Sequence, residues 1–121
     1  MVKVYRHLVN KTMLEFPSGH LEKNELLEDC AIRELLEETG HSVSKLEHIH
    51  SCYLSPGRTN QKVHFFYATD LHYVKKELDK DEELELTNIT VEQLQERIKN
   101  KVIQNPITLL GFFLIASQNN D

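Results

Sequence analysis

The sequence predicts an α/β fold in one domain, and three observations lead to this expectation. The chain has 121 residues, of which 40% are hydrophobic and 27% charged, a length and composition suited to one packed core. Apolar residues recur at helical spacing over residues 27–39, whereas residues 62–71 are rich in aromatic residues and read as a strand. Strands and helices are therefore mixed along the chain, without a repeat or an internal linker.

The strands follow from alternating or aromatic segments bounded by turn residues. We expect strands over residues 2–5, 11–16, 46–54, 62–71 and near 84–89. Residues 9–11 form a plausible turn between the first two strands. The composition of residues 55–60, SPGRTN, predicts a loop between the third and fourth strands.

Three helices complete the predicted elements. The amphipathic segment 27–39 should pack its apolar side against the core and end at Gly40, a residue favoured after a helix. Thr90 and Gln93 have the spacing of a capping box and open a helix that runs to about residue 100. Proline is favoured in a first turn, so a last helix should cover residues 107–116. This last helix is apolar nearly all round, and we expect it to be covered on both sides.

Charge and composition limit the partners. The net charge of −5 argues against binding to a nucleic-acid backbone. No apolar run approaches the roughly 20 residues of a membrane span, and the N-terminus lacks the apolar stretch of a signal peptide, so we expect a cytoplasmic protein that does not bind membranes.

Cys30 and Cys52 are too few for a disulfide framework or a zinc site, and we expect both to be thiols in the core. The histidines show no i,i+4 pair on a helix and are expected in strands and loops.

Residues 19–41, GHLEKNELLEDCAIRELLEETGH, concentrate acidic side chains around the first helix. Glu34 and Glu38 are i,i+4 neighbours, and like charges at this spacing cost a helix roughly 0.2–0.5 kcal/mol per pair. Arg33 can offset part of this cost by bridging to Glu37, and a divalent cation would offset the rest. Carboxylate oxygens suit magnesium or manganese. The alternative is that these glutamates form only a solvated helix face.

The same segment resembles the Nudix box, GX5EX7REUXEEXGU, in which U is a bulky apolar residue. It matches the box at eight positions: Gly19, Glu25, Arg33, Glu34, Leu35, Glu37, Glu38 and Gly40. Only the last position differs, because His41 stands where the family usually has an aliphatic residue.

Flanking segments are similar to one branch of the Nudix family, the ADP-ribose pyrophosphatases. Tyr5 and Arg6 resemble its QYR motif, and residues 14–19, LEFPSG, resemble its LELPAG motif. Pro56 lies about where that branch carries a proline, and residues 81–86, DEELEL, resemble its acidic DEFIEV-type segment. The resemblance spans nearly the whole chain.

The resemblance implies a Nudix-type α/β/α sandwich with a mixed sheet, built by one Nudix hydrolase domain over residues 1–121. Only 18 residues precede Gly19, whereas relatives carry one or two further strands or a subdomain there. We therefore expect a sandwich that lacks the usual N-terminal strands and exposes a sheet edge or an apolar surface. A homodimer that covers this surface is expected.

The resemblance also implies the metal site and its cofactor. Glu34 and Glu38 would be the main side-chain ligands of Mg²⁺, or alternatively of Mn²⁺, and the carbonyl of Ser18 would add a backbone oxygen. Glu25 would stabilise the loop that carries the ligands without binding the metal itself.

By the same resemblance, catalytic roles fall to Glu37, Arg33 and Glu82. Arg33 would orient the carboxylates, and Glu82 would be the downstream base or extra ligand, with Glu83 as the alternative.

Substrate contacts are implied at Arg6 and at the loop residues Ser55, Pro56 and Gly57. Arg6 would bind a phosphate oxygen through a charge-assisted hydrogen bond, unless it is a solvent-facing strand arginine. Pro56 could equally be an ordinary turn proline.

The implied reaction is metal-dependent hydrolysis of the pyrophosphate bond of ADP-ribose or a related nucleoside-diphosphate sugar. The products would be a nucleoside monophosphate and a sugar phosphate. Gln61 is neutral where relatives often place an acidic residue toward the substrate ribose, so the resemblance does not identify the sugar of the substrate. Two alternatives remain: a nucleotide-binding Nudix module with little or no catalysis, which the short N-terminus favours, and a nucleoside-triphosphate pyrophosphatase.

Overall fold

The structure is a computed structural model that describes residues 1–74 and 84–118. The elements in chain order are β1 (Val2–Arg6), β2 (Lys11–Glu15), α1 (Leu27–Thr39), β3 (His41–Tyr53), β4 (Lys62–Tyr73), β5 (Glu85–Leu86), α2 (Val91–Lys99) and α3 (Pro106–Gln118). This order confirms the α/β class and the three helices that the sequence predicts.

The strands form two antiparallel sheets in the described part of the chain. One sheet has three strands in the order β2-β1-β5, and the other is the long β3–β4 hairpin. The single mixed sheet that we expected is therefore not what these residues form. Short loops join β1 to β2 and β3 to β4, and they require antiparallel pairing because a parallel pair needs a crossover of a dozen or more residues. β5 comes from a distant part of the chain and also pairs antiparallel with β1, so every pairing in the described residues is antiparallel.

The junction between α1 and β3 is tighter than the sequence predicts. Gly40 has a left-handed φ of 71°, and its N–H donates to the Leu36 carbonyl at 2.9 Å, which confirms the predicted helix end. The chain then enters β3 directly at His41, whereas we expected this strand to begin at residue 46. The early start was missed because residues 41–45 carry little apolar alternation.

Helix α2 begins directly after Thr90, as predicted, whereas α3 begins at Pro106, one residue before the predicted start. Gln93 N–H donates to Thr90 Oγ1 at 3.1 Å and Thr90 N–H donates to Gln93 Oε1 at 2.9 Å, so the capping box is confirmed. In α3, the Thr108 N–H donates to the Asn105 side chain at 3.0 Å. The expectation that α3 is covered on both sides is wrong, because the Phe113 side chain is 67% exposed.

The core lies where the three-stranded sheet and the C-terminal helices meet, and β4 of the other sheet contributes Phe65 to it. Its buried apolar residues are Val2, Phe65, Leu94 and Ile103. Gly111 of α3 lies against the Phe16 ring so closely that an added Cβ would be 2.8 Å from it. In the described residues, no helix is long and apolar enough to cross a membrane.

Candidate functional site

The acidic side chains of α1 surround one arginine. Arg33 Nε donates to Glu25 Oε1 at 2.7 Å and Arg33 Nη2 donates to Glu25 Oε2 at 3.0 Å, which makes a bidentate pair. Arg33 Nη1 donates to Glu34 Oε1 at 2.8 Å and to Glu37 Oε2 at 3.2 Å. The predicted bridge between Arg33 and Glu37 is therefore present. The same guanidinium donates hydrogen bonds to three glutamates of the box: Glu25, Glu34 and Glu37.

Glu25 and Arg33 also tie α1 to the loop that precedes it. Glu25 accepts a hydrogen bond from the Glu22 backbone N–H at 2.9 Å, and Arg33 Nη2 donates to the His20 carbonyl at 3.1 Å. The hydrogen bond from Arg33, followed by that from the Glu22 N–H, lowers the pKa of Glu25 to about 2. The same pair, with Glu25 as the first cause, raises the pKa of Arg33. Both groups stay charged over the whole physiological range.

Gly19 leaves room for the carboxylate of Glu34. A Cβ built on Gly19 would lie 1.9 Å from the Glu34 carboxyl carbon, so this backbone position accepts no side chain while the carboxylate is there. The first glycine of the box is therefore required by close approach of a side chain to the backbone.

Glu38 reaches the neighbouring residue of the same loop. Its Oε2 accepts a hydrogen bond from the Ser18 N–H at 2.8 Å. Glu34 and Glu38, one helical turn apart on α1, thus converge on the Ser18-Gly19 dipeptide. The structure brings together the three residues predicted as metal ligands.

The donor set fits a magnesium ion that binds substrate phosphate as well as protein. Within residues 1–74 and 84–118, no group of three or more His, Cys, Asp and Glu side chains is arranged to hold a metal. Glu34 and Glu38 therefore do not build a complete protein cage. Mg²⁺ commonly uses one or two carboxylates and completes its shell with water and phosphate oxygens, which matches two carboxylates over an exposed loop.

Arg6 is held by a buried carboxylate that the sequence did not single out. Its Nη2 donates to Glu15 Oε2 at 2.7 Å, and Glu15, whose side chain is only 3% exposed, also accepts a hydrogen bond from the Asn105 side chain. The Arg6 side chain is thus 48% exposed and paired with a carboxylate, and its predicted contact with a phosphate stays a prediction. The glutamate lies inside the LEFPSG segment at the end of β2, where no local sequence pattern indicated its burial.

Three further predicted site residues, Ser55, Pro56 and Gly57, lie in the loop between β3 and β4. Ser55 begins a turn in which its carbonyl accepts hydrogen bonds from the N–H groups of Arg58 and Thr59, both at 2.9 Å. No other atom lies within 4 Å of a Cβ built on Gly57, so the backbone there is open to a ligand. The contacts predicted for Ser55, Pro56 and Gly57 stay predictions. Glu82 and Glu83 lie outside the described residues.

Comparison with known proteins identifies the family of the chain. The family model for the NUDIX domain matches residues 2–109. The chain belongs to the Nudix family. A Nudix relative, the ADP-ribose pyrophosphatase of Bacillus subtilis (strain 168), is 39% identical over 110 residues, which are 89% of this chain and 60% of the relative. The methanol dehydrogenase activator of Bacillus methanolicus is 37% identical over 115 residues, 92% of this chain and 61% of that protein.

A solved structure confirms the Nudix fold. The crystal structure of an ADP compounds hydrolase superposes with a TM-score of 0.87 at 20% sequence identity, and the match covers 97% of this chain and 63% of that one. The chain thus spans 60–63% of the length of these three proteins.

Proposed function

We propose that this Nudix domain, residues 1–121, hydrolyses the pyrophosphate bond of ADP-ribose or a related nucleoside-diphosphate sugar, releasing a nucleoside monophosphate and a sugar phosphate. The observation that carries the proposal is the convergence of Glu34 and Glu38 on Ser18 and Gly19. The ADP-ribose pyrophosphatase of Bacillus subtilis, which is 39% identical to this chain, supports this substrate class.

The proposed cofactor is Mg²⁺, with Mn²⁺ as a substitute. Glu34, Glu38 and the Ser18 carbonyl would hold it. A bound divalent ion neutralises charge that develops on the leaving phosphate and lowers the pKa of an attacking water. Arg33 keeps the carboxylates in place, and its single positive charge offsets part of their mutual repulsion before the ion binds. Glu25 in turn fixes the guanidinium plane through two hydrogen bonds.

The remaining roles concern proton transfer and substrate contact. We assign Glu37 and Glu82 to the catalytic group, since a carboxylate near the ion can accept a proton from the attacking water. Arg6 would bind a phosphate oxygen, and its pairing with Glu15 supports a fixed orientation of the guanidinium. Ser55, Pro56 and Gly57 would line the substrate from the loop between β3 and β4.

We also propose that the domain works as a homodimer. Apolar side chains are exposed on two helices: Ile32 (39%) and Leu36 (38%) on α1, and Phe113 (67%) on α3. Surfaces of this kind on a small domain favour association, because burial of apolar area is the main driving force for it. Light scattering at micromolar concentration should give twice the chain mass, and a monomer would contradict this assignment.

A nucleotide-binding module with little catalysis is the second candidate. It is favoured by the hydrogen bonds that satisfy Glu34 and Glu38 without a metal: one from Arg33 and one from the Ser18 N–H. The third candidate, a nucleoside-triphosphate pyrophosphatase, uses the same box chemistry on another substrate.

One experiment separates the three candidates. ADP-ribose, GDP-mannose and ATP are incubated with the protein in Mg²⁺ or Mn²⁺, and ³¹P NMR identifies the products. AMP and ribose 5-phosphate from ADP-ribose, absent when EDTA is added, are the expected result. Pyrophosphate from ATP alone would favour the third candidate. Binding of nucleotide and metal by calorimetry without turnover of any compound would favour the binding module.

A further inference from the structure

Three polar side chains meet on the β3–β4 hairpin, outside the Nudix box. His48 Nε2 lies 2.8 Å from Ser51 Oγ, and the same oxygen lies 2.7 Å from His64 Nδ1. The two imidazole centroids are 5.8 Å apart, with 53° between the ring planes. Because both nitrogens contact one oxygen, they are at most 5.5 Å apart.

An irregularity in the hairpin makes this meeting possible. Ser51 is paired directly with His64, and His48 is paired with Phe66, which lies two residues further along the same face of β4. Residues 48 and 51 of a regular strand would point to opposite faces, because side chains alternate. The register shift between His48 and His50 turns both toward His64. Bulges of this kind commonly redirect a side chain at a functional position.

The imidazoles are accessible and suited to bind a cation in their neutral form. His48 is exposed, and His64 and Ser51 are half-buried. Burial, followed by the charges of Lys62 and His48, lowers the pKa of His64. A neutral imidazole is the form that coordinates a metal.

We propose that His48 Nε2 and His64 Nδ1 form a binding site for one transition-metal ion of the zinc class. Imidazole nitrogens suit Zn²⁺, Cu²⁺ and Ni²⁺, whereas the carboxylates of α1 suit Mg²⁺ and Mn²⁺, so the two sites select different ions. Zn–N bonds of about 2.0–2.1 Å place two tetrahedral ligands about 3.3 Å apart. The two rings, whose centroids are now 5.8 Å apart, would turn toward each other when the ion binds.

The ion replaces the Ser51 hydroxyl between the rings. The hydroxyl has one proton, so it donates to one ring nitrogen and accepts from the other. The ring that donates must move its proton to its other nitrogen before it binds the ion, and no proton is released from rings that are already neutral. Water or an anion completes the coordination, since no third His, Cys, Asp or Glu side chain joins these two within the described ranges.

A metal in this position would cross-link the two strands beside their connecting loop. Ser51 and His64 lie two residues inside the ends of β3 (Tyr53) and β4 (Lys62) that flank residues 54–61. That loop contains Ser55, Pro56 and Gly57. Zn²⁺ binding is therefore expected to raise the thermal midpoint of the protein and to reduce motion in this loop.

The test is a Zn²⁺ titration of the full chain against a colorimetric zinc indicator, in excess Mg²⁺ to occupy the box carboxylates. We expect one Zn²⁺ per chain. His48→Gln and His64→Gln should each weaken binding by more than about tenfold, since losing only a hydrogen bond to a metal ligand already costs about 10–100-fold. His72→Gln, which removes an exposed histidine at the far end of the same hairpin, should leave binding unchanged.

Two further readouts identify the ligands directly. Histidine-ring NMR should show shifts for His48 and His64 on addition of Zn²⁺, while Ser51→Ala should retain binding because the hydroxyl is displaced by the ion. The proposal is overturned if no Zn²⁺ binds, if Ser51→Ala abolishes binding, or if the His48 and His64 variants titrate like His72→Gln. Binding that is lost only in Glu38→Gln would assign the Zn²⁺ to the box instead.

Discussion

Replacing Gly19 by alanine should remove activity while leaving the fold intact. The added Cβ would lie 1.9 Å from the Glu34 carboxyl carbon, and ordinary van der Waals contact begins at 3.4 Å, so the carboxylate must retreat by at least 1.5 Å. A misplacement of 1 Å in a catalytic group can cost about 100-fold. We therefore expect kcat/KM for ADP-ribose to fall by about 100-fold or more in Gly19→Ala.

The stability of this variant should change little, for a reason that is also structural. The atoms in the way belong to the far end of a flexible side chain, so the carboxylate moves and the backbone need not. Where the backbone conformation suits both residues, a Gly-to-Ala change stabilises the folded protein by about 0.4–1 kcal/mol, because it lowers the conformational entropy of the unfolded chain. Thermal unfolding checks this, with Gly57→Ala as the control for an added methyl group in open space. Wild-type kcat/KM in Gly19→Ala would refute the placement of Glu34.

Further predictions concern stability and the arginine at the centre of the site. Gly111→Ala should destabilise by about 1–3 kcal/mol in urea unfolding, because its Cβ would overlap a packed ring. Glu15→Gln should cost about 1–3 kcal/mol, since it removes the charge from a buried hydrogen-bonded carboxylate, whereas Glu85→Gln in an exposed pair should cost less than about 1 kcal/mol; equal losses would contradict the burial argument. Glu25→Gln should lower kcat/KM for ADP-ribose by about 10–100-fold, because Arg33 loses its bidentate partner. The assay also measures the Mg²⁺ concentration that gives half-maximal activity. The depressed pKa of Glu25 means that its contribution to stability is present above its ordinary value of 4.5 and is lost as the pH falls toward about 2. Acid unfolding of Glu25→Gln should therefore be less steep between these pH values, and an unchanged curve would count against the ion pair.

The parts of the molecule that the sequence predicts best are those determined by local chemistry. The capping box of Thr90 and Gln93, the left-handed Gly40 after α1 and the Arg33–Glu37 bridge each depend on residues within a few positions of one another. Their hydrogen bonds follow from spacing alone. The box helix and its glutamate face were therefore predictable to the residue.

Features that depend on contacts between distant segments were not predictable. Glu15 is buried because Arg6 and Asn105, 90 residues further on in the chain, both donate to it, and no local pattern indicates this. The cluster of His48, Ser51 and His64 needs a register shift that composition does not reveal. The exposure of Phe113 was missed because an apolar helix predicts burial without saying which face is covered.

The most direct test of the metal site compares Glu38→Gln with Glu28→Gln, which removes an exposed carboxylate of the same helix at a variable position of the box. Hydrolysis of ADP-ribose is followed by ³¹P NMR over a range of Mg²⁺ concentrations, and Mn²⁺ binding is measured by electron paramagnetic resonance. Loss of at least about 100-fold in turnover and of Mn²⁺ affinity in Glu38→Gln, with both retained in Glu28→Gln, is the predicted result. Equal activity and equal Mn²⁺ binding in the two variants would contradict the assignment of Glu38 as a metal ligand and, with it, the proposed site.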